Sequence, residues 1–151
     1  MKASKIYCRQ IENADRTVCG YILNILHSGN VIEGYICCNE RESEFFASGK
    51  SVKFSSENSA YLSASPKTAK AKKSAARLKL GCPLYSENGK FLGHIDDYTI
   101  VSDRITYAHI KNRKYPFGRI ALGDVAILKN EKPLAEIAAK DLFIDAMVNA
   151  R

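Results

Sequence analysis

Sliding the chain along itself by about 73 residues lays Gly20-Tyr21-Ile22-Leu23-Asn24 over Gly93-His94-Ile95-Asp96-Asp97, and self-similarity at a fixed period points to two copies of one unit. The agreement extends outward. Ile11 falls on Leu84, Asp15 on Asn88, Val18 on Phe91 and Cys19 on Leu92, so an apolar residue, a polar turn, an apolar pair and a glycine occur twice in that order. Farther on, Ile32 matches Ile105, and Val52-Lys53-Phe54 resembles Ile120-Ala121-Leu122 after a small change in spacing. Within 151 residues each copy has about 65, near the lower limit for a self-sufficient core, so the copies gain by packing on each other.

Each copy reads as strands. Val31-Ile32-Glu33-Gly34-Tyr35-Ile36 and Ile105-Thr106-Tyr107-Ala108-His109-Ile110 are rich in β-branched and aromatic residues and follow turn residues. Asn88-Gly89, inside Glu87-Asn88-Gly89-Lys90, predicts a type I′ hairpin with positive φ at both residues, joining Pro83-Leu84-Tyr85 to Phe91-Leu92. Gly20 and Gly93, inside strand patterns, predict a bulge or sharp bend of the kind small barrels need at a corner.

Between the copies, Ser63 to Arg77 is rich in Ala, Lys and Ser, and Pro66 suits the start of a short helix. As a helix this linker spans about 20 Å, and extended about 50 Å. Beyond the second copy, the segment from Pro133 has helix-forming composition. A break near Lys140, with Asp141 as a cap, gathers Leu142, Phe143, Ala146 and Met147 on one side, where they need a partner surface, either the barrel or another molecule. The expected organisation is a first copy at 1–64, a basic and possible helical linker at 65–79, a second copy at 80–130 and a C-terminal helical segment at 131–151. The fold class is mostly all-β.

The formal charge of +7 is unevenly distributed. Acids and bases cancel over residues 1 to 64 and nearly cancel from 80 onward, whereas Lys67, Lys70, Lys72, Lys73, Arg77 and Lys79 stand together without an acid. Such a cluster can neutralise phosphates and release counterions, or serve as a solvated spacer. With 46% hydrophobic and 26% charged residues the composition is that of a globular protein. No apolar run approaches the roughly 18 residues that span a bilayer, so no membrane insertion is expected. The five cysteines are odd in number and Cys37-Cys38 are adjacent, a usage suited to a reducing compartment, and the expected location is cytoplasmic.

The run Leu80-Gly81-Cys82-Pro83-Leu84-Tyr85-Ser86-Glu87-Asn88-Gly89-Lys90-Phe91-Leu92-Gly93-His94-Ile95-Asp96-Asp97 resembles the opening of PRC-barrel domains: Gly-x-Pro-hydrophobic, a polar turn containing Gly, then hydrophobic-Gly-x-hydrophobic-x-Asp. Tyr115 to Leu128 is similar to the closing strands of that family. The first copy departs from the pattern at Arg16, where the turn prefers Gly, and at Asn24, where Asp is preferred. The resemblance implies two small barrels of about six strands in tandem. In the reaction-centre H subunit and in ribosome maturation factors such barrels contact partners, and the family has no shared catalytic residues.

No catalytic, cofactor or metal site is expected. Asp96 and Asp97 are adjacent and point to opposite faces of a strand, which suits turn or edge hydrogen bonds. His27, His94 and His109 lack partners at zinc spacing, and Cys37-Cys38 lack the two-residue gap of chelating pairs. Alternation along the strand places one of these thiols in the core and the other outward. The expected function is a non-catalytic docking or assembly module with a protein partner contacted through Leu142, Phe143 and Met147. The alternative is association with RNA or the ribosome through the basic linker. Exposed barrel edges also allow a homodimer.

Overall fold

The computed structural model describes residues 1–55, 59–63 and 75–129. Within them the protein is mostly β. The first copy forms β1 (Gln10–Glu12), β2 (Val18–Ser28), β3 (Val31–Cys38), β4 (Glu44–Ser48), β5 (Val52–Phe54) and β6 (Ser59–Leu62). After the short β7 (Ala76–Arg77), the second forms β8 (Pro83–Ser86), β9 (Phe91–His94), β10 (Asp97–Val101), β11 (Arg104–Ile110), β12 (Arg113–Pro116), β13 (Ile120–Ala121) and β14 (Ala126–Leu128). A single helical turn joins β4 to β5 at Gly49–Ser51, and another joins β12 to β13 at Phe117–Arg119.

The repeat seen in the residues recurs in the hydrogen-bond register. Ile11 pairs with Gly20 and Glu12 with Val18, while Leu84 pairs with Gly93 and Tyr85 with Phe91. In each copy the register slips by one residue there, at Cys19 and at Leu92, so both glycines sit beside a bulge as expected. The next hairpins also correspond. Asn24↔Ile36, Ile25↔Tyr35 and Leu26↔Gly34 reappear as Asp97↔His109, Tyr98↔Ala108 and Thr99↔Tyr107, each followed by another slip. Each copy then closes on itself in parallel, β1 against β6 and β8 against β14.

The copies part company at one place. β2 runs unbroken through Ile22 and Leu23, whereas Ile95-Asp96 interrupts the matching strand and leaves β9 and β10 separate. One sheet of ten strands therefore runs β10-β11-β3-β2-β1-β6-β5, with β12, β4 and β7 alongside, and curls as a half-barrel. The other has four, β13-β14-β8-β9. The compact units follow these sheets and cut across the repeat: one is Met1–Gly81 with Ile95–Gly118, the other Cys82–His94 with the chain from Arg119 onward.

Within the larger unit, residues of both copies share an interior. Ile22, Ile25 and Tyr35 from the first copy and Tyr98, Ile105 and Ala108 from the second are almost wholly buried. The hairpin tips meet reciprocally about the Val31–Arg104 pair: Ile32 N–H donates to the Asp103 carbonyl at 2.9 Å and Ile105 N–H to the Asn30 carbonyl at 2.7 Å. The leading arms are exchanged as well. Lys2 bridges to Thr99 of β10, and Ala76–Arg77 pair with His27 and Leu26 of β2.

Two turns differ from expectation in an informative way. In the second copy Gly89 has φ +85°, but Asn88 keeps a negative φ, and Gly89 N–H donates to the Ser86 carbonyl at 2.9 Å. The loop is a three-residue turn ending in a bulge glycine, not the type I′ turn that Asn-Gly suggests. The first copy builds the same loop without glycine: Arg16 N–H donates to the Asn13 carbonyl at 2.9 Å with φ +71° at Arg16. Likewise Gly81 (φ +85°) donates to Ile95, and its counterpart Cys8 donates to Ile22 with φ +63°. Non-glycine residues in this left-handed region cost about 1 kcal/mol each. Cys8→Gly and Arg16→Gly are accordingly each expected to stabilise the protein by about 0.5–1 kcal/mol in a denaturant melt, despite the greater chain entropy of glycine.

Of the expected linker, 64–74 lie outside the described residues. The part that is described, at Ala76–Arg77, is extended rather than helical, because its backbone is taken up by the edge of β2. The expected C-terminal helix at 131–151 lies wholly outside them. The boundaries expected for two separate barrels are not those of the compact units, because the break at Ile95-Asp96 frees β10–β12 to join the sheet of the first copy.

Candidate interaction surfaces

Arg77 and Lys79 are the two members of the basic cluster among the described residues. Leu78 between them is 2% exposed, and its N–H donates to the Ile25 carbonyl at 2.8 Å. Strand alternation then turns both cations outward, and both are exposed. Two phenols hold this backbone from below: Tyr7 donates to the Leu78 carbonyl at 2.5 Å and Tyr98 to the Lys79 carbonyl at 2.8 Å. Burial, with the Asp97 charge second, pushes the Tyr7 phenol up to about 12, so it stays a protonated donor across the physiological range. Beside the strip lies a shallow groove of about 330 Å³ lined by Tyr7, Asn24, Arg77, Leu78, Lys79 and Leu80. Rigid cations next to an open groove can bind an extended anionic chain. Lys67, Lys70, Lys72 and Lys73 lie outside the described residues, as do Leu142, Phe143 and Met147.

A second surface was not foreseen from the sequence. On β1, Ile11 points inward, so Gln10 and Glu12 face out. Across the strands Gln10 stands beside Tyr21 and Ser59, and Glu12 beside Val18 and Tyr61, which in turn neighbours Lys53. Val18, Tyr21, Leu23 and Tyr61 are large apolar side chains left 38%, 48%, 39% and 38% exposed, amid polar ones. The alternation Ser59-Ala60-Tyr61-Leu62 carries the inside-outside signal for this strand, but only the register shows that Tyr61 and Tyr21 share a face.

The remaining reactive groups have structural partners. Asp96 accepts from Lys111 N–H at 2.8 Å, and Asp97 accepts from Ser4 N–H at 2.9 Å and from Tyr98 N–H at 2.8 Å, the turn and edge roles expected of them. His27 is buried, with Nδ1 2.8 Å from the Gly29 carbonyl and its ring edge-on to Phe117. His109 Nε2 lies 2.5 Å from Thr99 Oγ1, and burial, with Lys2 second, lowers its pKa. Cys37 is buried and Cys38 half-exposed, as strand alternation requires, and burial, with Cys19 second, pushes the Cys37 thiol up to about 12. Among the described residues no group of three His, Cys, Asp or Glu could hold a metal, and no helix is long and apolar enough to cross a membrane.

The geometry defines a duplicated, mostly-β chain with open surfaces. No protein-family model matches the chain, and no curated protein does.

Proposed function

We propose that this chain is a non-catalytic, cytoplasmic binding or assembly module built from two PRC-type barrel repeats, and that its partner is a protein. The supporting observation is the outward face of β1, β2 and β6, where Tyr21 and Tyr61 flank Gln10 and Glu12. Exposed tyrosines among polar neighbours offer apolar area with hydrogen-bonding tips, the composition of interface anchors. The test is Tyr21→Asp combined with Tyr61→Asp in the full chain. Proteins crosslinked to the wild type should fall by about thirtyfold, the loss of roughly 2 kcal/mol typical of an anchor residue, while the thermal melt stays cooperative. Recovery of the same proteins in the same yield overturns the reading. A homodimer through this face would show instead as a sedimentation coefficient that rises with concentration and is lost in the double variant.

The second reading is RNA or ribosome association, supported by Arg77 and Lys79 being held outward beside a groove and by the lysines that precede them in the chain. Lysines and arginines on phosphates position a chain without reading bases, so binding should depend steeply on salt and little on sequence. Arg77→Glu with Lys79→Glu should lower the slope of log affinity against log salt for single-stranded RNA by about 1.4, two contacts at about 0.7 each. An unchanged slope removes these residues from the interface.

A further inference from the structure

The two copies present the same outward row with opposite character. In the first it runs Lys53, Tyr61, Glu12, Val18 across β5, β6, β1 and β2. At the matching positions of the second it runs Ala121, Ile127, Tyr85, Phe91 across β13, β14, β8 and β9. Pro83 and His94 form the next pair, where the first copy has Gln10 and Tyr21. Both charges of the first row have become apolar groups. The inner face of the same sheet already buries Leu84, Ala126 and Leu128, so this four-stranded sheet is apolar on both sides. Phe91, 49% exposed, stands 5.4 Å from the Tyr85 ring and 5.3 Å from that of His94. A row of this kind is stable in water only when something covers it.

The copies also differ in the chain that continues from them. The first leads into a run of lysines, alanines and serines, whereas the second leads, directly after β14, into a segment containing Leu134, Ile137, Leu142, Phe143, Ile144 and Met147. The geometry points to residues 133–151 of the same chain as the cover of the Ala121–Ile127–Tyr85–Phe91 row. The segment starts a few residues from the row's own β14. Coiled as a helix it would reach about 28 Å, against about 14 Å for the span of four strands, so reach is ample.

Trypsin cleavage after Lys140 in the full chain reads the docking. With opening fast relative to cleavage, the rate follows the undocked fraction. Phe143→Asp, which leaves the sheet untouched, should speed cleavage about tenfold, the effect of shifting the docking equilibrium by 1.4 kcal/mol. Tyr85→Glu, which restores the charge carried by the first copy, should do the same, as should Phe91→Glu at a position exposed enough to accept it without unfolding. Wild-type cleavage should not change on dilution. Rates unchanged in all three variants overturn the proposal. Acceleration by Phe143→Asp alone means that the segment packs elsewhere, and protection that falls on dilution means that a second copy is the cover; either outcome also overturns it.

Discussion

Residues 1–64 expressed alone are expected to show no cooperative unfolding transition, and to regain one when residues 65–151 are supplied in trans. The reason lies in the larger unit, whose interior draws Ile22, Ile25 and Tyr35 from the first copy and Tyr98, Ile105 and Ala108 from the second. Removing the second copy strips β2 of β7 and β3 of its contact with β11, and it uncovers side chains each contributing about 1.5–3 kcal/mol of burial. A domain's net stability is only about 5–15 kcal/mol, so the loss of several such groups removes it. Circular dichroism melts of the fragment, its complement and their mixture make the measurement. A fragment that melts cooperatively on its own would mean that the first copy closes a separate core, as two independent barrels would.

Gly20→Ala is expected to cost about 3 kcal/mol, toward the upper end for a group forced into a packed interior, and to lower the melting temperature by about 10 °C. A Cβ at Gly20 would collide with the carbonyl oxygen of Cys38 and lie 3.0 Å from its carbonyl carbon and 3.4 Å from Asn39 Cα. These are backbone atoms of β3 and the turn after it, held in the ladder that pairs β2 with β3, and they cannot rotate away as a side chain could. Gly118→Ala is the control: its Cβ would meet nothing within 4 Å, and the melt should barely move. Equal effects at the two positions would mean that glycine entropy, and not the collision, governs Gly20.

The bulge glycines, the outward position of one thiol of Cys37-Cys38 and the hydrogen-bonding roles of Asp96 and Asp97 were all legible in the residues, because each depends on local geometry or strand alternation. The first copy was harder to read. Cys8 and Arg16 hold the same left-handed backbone as Gly81 and Gly89, so the family-like glycines are missing although the loop is the same. There the surrounding pairing outweighs the residue's own preference by more than the roughly 1 kcal/mol it costs. The type I′ expectation at Asn88-Gly89 failed for a related reason. Asn-Gly is compatible with more than one loop, and the register slip at Leu92 selects the longer one.

By itself the sequence determined that the chain is built of strands, that it contains one unit twice and where each corner falls, since alternation, turn residues and a fixed period act over a few neighbouring positions. Only the tertiary structure decided that β10–β12 join the sheet of the first copy, that the leading arms are exchanged, and that Tyr21 and Tyr61 share a face while Tyr85 and Ile127 share another. Those outcomes rest on hydrogen bonds between backbones far apart in the chain, and every strand edge carries the same N–H and C=O groups, so no pattern of side chains along one segment specifies which edge it will meet.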